Sequence, residues 1–144
     1  MAADDVIYSP KAQITRITGS ATRASGTFST SGEVTALSAN AYQVGDAVLS
    51  CSFSTAPTEG DLVHLYIRPL NIDGSNNATI PEDGYEHIFV GSFSVKDTTA
   101  QQYIKLPGIP LLEGDQQFYI KNDTDQTMDS DYVVKVTPVP TNTQ

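Results

Sequence analysis

The chain is poor in cysteine and in positive charge: Cys51 is the single cysteine among 144 residues, and eight Lys/Arg stand against seventeen Asp/Glu, a net charge of −9. One thiol cannot close an intramolecular disulfide. The charge repels a phosphate backbone, so no nucleic-acid partner is expected. No apolar run approaches the ~18 residues of a bilayer span, and no basic amphipathic stretch suits a membrane surface, so no membrane partner is expected either. The opening residues Met1, Ala2, Ala3, Asp4 and Asp5 show neither a basic n-region nor an apolar h-region, which argues against a cleaved export signal. Serine-nucleophile elbows, HExxH, glycine-rich phosphate loops and paired Cys/His spacings are missing, so the expectation is a protein that is not an enzyme and needs no cofactor. Helical i, i+3, i+4, i+7 patterning is missing as well.

What remains is strand alternation. In LVHLYIRPL (62–70), Val63, Leu65 and Ile67 share one face, and His64, Tyr66 and Arg68 the other. Pro69 and the turn-formers of 71–77 should end this strand and open a long loop. Ala47, Leu49, Cys51 and Phe53 alternate with Val48, Ser50, Ser52 and Ser54, which reads as a half-buried strand with Cys51 facing the core. Phe89, Gly91, Phe93 and Val95 read as one face, with Gly91 permitting a bulge or close packing. Ile104 and Leu106, Phe118 and Ile120, and Tyr132, Val134 and Val136 complete the inward set. Seven or eight strands without helix predict an all-β fold, an antiparallel β-sandwich. The long connections at 71–84 and 107–115 favour a jelly roll, with an immunoglobulin-like sandwich as the alternative.

Residues 15–41 differ in kind. They are mostly Ser, Thr, Ala and Gly, and Ile14, Ile17, Phe28, Val34 and Leu37 are the large apolar side chains in and beside them. The charge also changes along the chain. Lys11, Arg16 and Arg23 balance Asp4, Asp5 and Glu33 up to residue 44, so the acidic excess lies in 45–144. The reading is an extended N-terminal arm over 1–31 that orders against another surface, a β-sandwich body over 32–139 with Val34 to Leu37 as a possible first strand, and a tail over 140–144.

Asp123, Asp125, Asp129 and Asp131 fall in one loop and could ligate a hard cation. The EF-hand spacing fails, however, with Met128 where the turn needs glycine and Val134 where a glutamate belongs. A solvated turn is the preferred reading, the loop at 72–77 is read likewise, and no metal site is assigned. Cys51 with His64 or His87 does not suggest a thiolate pair, because Cys51 faces the apolar side of its strand and burial deactivates a thiol. Tyr66, Tyr103 and Tyr119 fall on the polar faces of their strands, where flat rings suit stacking on sugars or sealing a protein interface.

The segments QVGDAVLSCSF (43–53), LYIRPLNIDG (65–74), VGSF (90–93), IPL (109–111), FYIKN (118–122) and KVTP (135–138) together resemble small virion proteins of tailed bacteriophages, most of all the capsid decoration, or cement, class. The likeness spans about residues 34–139. It implies a β-sandwich on the virion surface, displayed as a homotrimer against major capsid protein and assembled in the host cytoplasm. The arm contacts that would anchor such a protein are Tyr8, Ile14, Arg16, Ile17, Arg23 and Phe28. A carbohydrate-binding module of a tail or fibre is the alternative, with a minor head–tail junction subunit behind it.

Overall fold

The computed structural model describes residues 13–38, 42–85 and 88–139. Its strands are β1 (Ile14–Thr18), β2 (Thr27–Phe28), β3 (Val44–Cys51), β4 (Leu62–Pro69), β5 (Ile88–Ser94), β6 (Gln102–Pro110), β7 (Gln116–Asp123) and β8 (Val133–Val139), with one short 3-10 turn at Ser31–Glu33. They form two four-stranded sheets, ordered β1-β8-β3-β6 and β2-β7-β4-β5. Every strand pairing is antiparallel. β1 meets β8, β2 meets β7, β3 meets β6 and β4 meets β5, so the chain resembles one long hairpin rolled until successive rungs alternate between sheets. That is the jelly-roll arrangement and not the immunoglobulin-like one.

The core lies where the alternation puts it. Ala47, Leu49 and Cys51 of β3, Val63, Leu65 and Ile67 of β4, Phe118 and Ile120 of β7, and Val134 and Val136 of β8 are all buried, as are Phe53, Phe93, Val95 and Tyr132. Phe89 departs from the expected face. The register of β5 on β4 shifts between Leu65, opposite Gly91, and Tyr66, opposite Phe89. This bulge reverses the parity and turns Phe89 outward, 54% exposed. Gly91 also serves close packing: a Cβ there would lie 2.7 Å from Leu106 Cδ2 on the facing sheet.

The N-terminal segment is not a free arm. Residues 14–28 contribute β1 and β2, one at the edge of each sheet, which moves the body's start well before residue 32. Ile17 sits opposite Val134 with no exposed surface, and Arg16 is buried, its guanidinium donating to the Ala36 carbonyl at 2.8 Å. Neither side chain is available to a neighbouring molecule. Val34 and Leu37 form single bridges to Ile17 and Gln116 instead of a first strand. A stretch this poor in apolar residues orders because its backbone completes ladders whose core is supplied by β7 and β8. Gly19 permits the approach, since a Cβ there would meet the Ser130 carbonyl oxygen at 2.6 Å and the Tyr132 ring at 2.7 Å.

A buried ion pair fastens the same segment. Arg23 Nη2 donates to Glu33 Oε1 at 3.0 Å and Arg23 Nε to the Tyr132 hydroxyl at 3.2 Å. The Ser20 amide and hydroxyl also donate to Glu33 Oε1, each at 3.0 Å, and the Thr30 amide to Oε2 at 2.8 Å. Burial alone would raise the Glu33 carboxyl, but the Thr30 and Ser20 amides together with the Tyr132 and Ser20 hydroxyls outweigh it and hold it down at about 2. Burial, reinforced by Glu33, pushes the Tyr132 phenol up to about 12.

Candidate recognition surface

Each sheet has an outer face, and the described residues cover one of them. On the β2-β7-β4-β5 sheet, Tyr66 stands opposite Tyr119, with Arg68 opposite Gln117 on one side of that pair and His64 opposite Lys121 on the other. Arg68 Nε donates to the Ala78 carbonyl at 2.6 Å, and Lys121 Nζ to Asp83 at 3.1 Å. The connection between β4 and β5 is therefore tied down across this face. Phe28 packs on Tyr66 with ring centroids 5.6 Å apart, Phe89 on Tyr66 at 5.7 Å, and Lys121 Nζ lies 5.3 Å from the Phe28 ring centre. Tyr119 has no exposed surface and Tyr66 is 4% exposed, so two of the three tyrosines expected at an interface are interior. Phe28, of the expected arm contacts, belongs to this cover.

On the same face His64 bridges two strands, Nδ1 to Ser92 Oγ at 2.7 Å and Nε2 to Asp123 Oδ2 at 3.2 Å. A serine, a histidine and a carboxylate thus meet in the contact order of a hydrolase. Acyl transfer also needs backbone N–H groups converging on one oxyanion. Successive amides of an extended strand point to opposite sides, so the trio reads as a polar rung of the sheet. Cys51 is equally quiet: burial, with Asp131 and Asp129 nearby, pushes its thiol up to about 12.

Asp123 and Asp125 of the 123–131 segment go to separate partners, and Asp129 and Asp131 meet at one serine hydroxyl. Asp123 meets His64, Asp125 accepts from the Thr58 hydroxyl at 2.7 Å, Asp129 accepts from Ser52 at 2.9 Å and Ser54 at 2.8 Å, and Asp131 accepts from Ser52 at 3.1 Å. Among the described residues no group of three or more His, Cys, Asp or Glu side chains is placed to hold a metal ion. In the 71–77 loop, Asp73 accepts from the Asn76 side chain and from the Asn76 and Ser75 amides, which holds its carboxyl at about 2.

The outer face of the β1-β8-β3-β6 sheet is open at Tyr103, which is 75% exposed. Cross-strand register sets Tyr103 beside Ser50 and Val133, and in the next row sets Lys105, Val48, Lys135 and Thr15 side by side across all four strands. Two shallow grooves flank the tyrosine. One, of about 240 Å³, is lined by Gln13, Val48, Ser50, Tyr103, Val133 and Lys135. The other, of about 430 Å³, runs along Lys96, Thr98, Gln101 and Lys105. With its amide oriented to satisfy both neighbours, Gln101 accepts from Ser50 Oγ at 2.7 Å and donates to Asp131 at 3.0 Å. Lys105 Nζ lies 3.5 Å from Asp46. The surface is a flat ring with hydrogen-bonding groups on both sides.

Among the described residues anticipated from sequence, Tyr103 alone stands on this face. Ile14 is exposed at the edge of the same sheet, Arg23 is held in the ion pair with Glu33, and Tyr8 and His87 lie outside the described residues. Lys105 and Lys135 escaped notice because they belong to strands distant in sequence. Their alternation with apolar neighbours was the available signal.

No family model and no curated protein sequence matches the chain. Among solved structures, the chain is similar to the CBM36-1 domain of a multidomain xylanase from the hindgut metagenome of Trinervitermes trinervoides, at 14% identity and a TM-score of 0.51, covering 90% of this chain and 89% of that one. A carbohydrate-binding module CBM36 in complex with calcium and xylotriose aligns at 17% identity and a TM-score of 0.43, over 90% and 99% of the two chains. The first likeness supports the fold alone, a β-sandwich.

Proposed function

We propose that the chain is a non-catalytic carbohydrate-binding module that takes a glycan on the open face, with Tyr103 as the stacking platform. The observation that carries this reading is the exposure of the Tyr103 ring on a sheet face between two grooves edged by polar side chains. A sugar ring presents a face of C–H bonds that suits the negative face of an aromatic ring, while its hydroxyls need donors and acceptors at the rim. Covering about 100 Å² of tyrosine at roughly 25 cal/mol per Å² contributes about 2.5 kcal/mol. With a few net hydrogen bonds the affinity falls near the millimolar range, which becomes useful only when several copies act together. The test is a glycan array followed by titration of the best ligand into wild-type protein and Tyr103→Ala. Loss of binding in the variant, with an unchanged melting temperature, is the expected result. An array without a hit, or a variant that binds as well as wild type, rejects the reading.

A second reading rests on the likeness of residues 34–139 to phage decoration proteins: a virion structural protein on the outer capsid, in contact with major capsid protein as a homotrimer. Display on a capsid would supply the copies that weak glycan binding requires, so the two readings are compatible. The arm contacts Arg16 and Ile17 are withdrawn from it, because both are buried within the sandwich. Quantitative mass spectrometry of purified particles tests it. Copies in simple ratio to the major capsid protein support decoration, a handful point to a tail or junction subunit, and absence discards the virion reading.

A further inference from the structure

We infer that the saccharide bound at Tyr103 is anionic, a sugar carrying carboxylate groups that sit over Lys105 and Lys135; this rests on the glycan-binding reading above. The argument is one of charge placement. The lysines of the chain are Lys11, Lys96, Lys105, Lys121 and Lys135. Lys11 lies outside the described residues, and Lys121 is committed to the covered sheet, where it pairs with Asp83. The other three all line the grooves beside Tyr103. A chain of net charge −9 thus sets three of its five lysines around one exposed aromatic ring.

Register makes the arrangement specific. Val48 pairs with Lys105 on one side and Lys135 on the other, so the two ammonium stems rise from strands separated by two inter-strand spacings, about 10 Å. Tyr103 precedes Lys105 by two residues on the same face of β6, roughly 7 Å along the strand. A sugar ring stacked on Tyr103 therefore has a cation within reach of its substituents, and the adjoining residue of a polymer reaches the second. Among the described residues, the carboxylates bordering this strip include Asp46, which lies 3.5 Å from Lys105 at one end, and Asp131, held through Gln101 at the other with Asp129 beside it on Ser52 Oγ. The Asp46 contact is an exposed pair and holds Lys105 only weakly. A neutral glycan accepts hydrogen bonds from these ammonium groups but offers them no opposite charge. A carboxylated one gains charge-assisted contacts, and those contacts are salt-sensitive at this exposure.

The experiment compares polygalacturonate with the same polymer after reduction of its carboxyl groups, by affinity electrophoresis and calorimetry at 50 and 300 mM NaCl. The protein is used as wild type, Tyr103→Ala, and Lys105→Gln/Lys135→Gln. The inference expects at least tenfold tighter binding of the acidic polymer by wild type at 50 mM NaCl, shrinking to under threefold at 300 mM. The double lysine variant should lose the preference, binding the two polymers within threefold of each other at 50 mM NaCl, and Tyr103→Ala should lose binding of both. Equal binding of both polymers by wild type, or a preference that survives the lysine changes, overturns the inference and leaves the glycan reading intact. Failure of both polymers together with silence on the glycan array overturns both. Binding of polyglutamate as tight as that of polygalacturonate, unaffected by Tyr103→Ala, also overturns the inference, because it shows attraction to charge without recognition of a sugar.

Discussion

The two sheets carry outward tyrosines, and the chain treats them oppositely. Tyr66 and Tyr119 are both buried on the covered face, Tyr66 against the rings of Phe28 and Phe89, while Tyr103 is left in solvent. Strand alternation sets which side a ring leaves from, and only the tertiary course of the loops decides whether water reaches it. An outward tyrosine is thus either a second hydrophobic layer or a binding platform, and the sealed pair shows what the exposed one is not. Covering an outer face adds to stability. Leaving one open makes sense where something else is to cover it.

The contrast can be broken from the largest effect downward. Deleting residues 1–31 removes β1 from the edge of the open sheet and β2 from the edge of the covered one, and strips Ile17 and Arg23 from the interior. The expected outcome is loss of cooperative unfolding by circular dichroism; a folded truncation would restore the free-arm view of this segment. Tyr119→Ala, beneath the cover, should cost about 3–5 kcal/mol by denaturant unfolding, as other large aromatic truncations do. Acid should act through Glu33. Its carboxyl ionises at about 2 when folded, against an ordinary value of 4.5. The stabilisation is therefore complete above pH 4.5 and fades as pH falls towards 2. On the order of 3 kcal/mol is lost across that window, and Glu33→Gln should flatten the dependence.

Gly91→Ala tests the bulge that turns Phe89 outward. Leu106 must yield to the added methyl, at a cost of about 1–3 kcal/mol. A thermal melt unchanged from wild type would mean that the two sheets meet more loosely there than the contact implies. Tyr103→Ala should be the smallest, within about 0.5 kcal/mol of wild type, because an exposed ring holds up nothing. A large loss of stability in that variant would erase the distinction between the faces.

Much of the fold was readable from the chain. Alternation in 47–53, 62–68, 117–121 and 132–136 identified the inner residues, and long connections pointed to the jelly roll. The arm was misread because backbone ladders, and not its own side chains, order residues 14–28. Low hydrophobicity says little about a strand that borrows its core from β7 and β8. The bulge at Gly91 was legible, but its parity consequence at Phe89 was not, since that depends on which residue of β4 stands opposite. The cover over Tyr66 and Tyr119 rests on Arg68 with Ala78 and Lys121 with Asp83, pairings without local periodicity. Lys105 and Lys135 come together only because β6 and β8 both flank β3.

The buried Cys51 gives the protein a clock of its own. With the thiol held up at about 12 and its side chain sealed between the sheets, a disulfide exchange reagent at neutral pH meets a reactive thiolate only when β3 is laid bare. One thiol, and no second to complicate the trace, makes the rate of labelling a direct count of how often the sandwich opens.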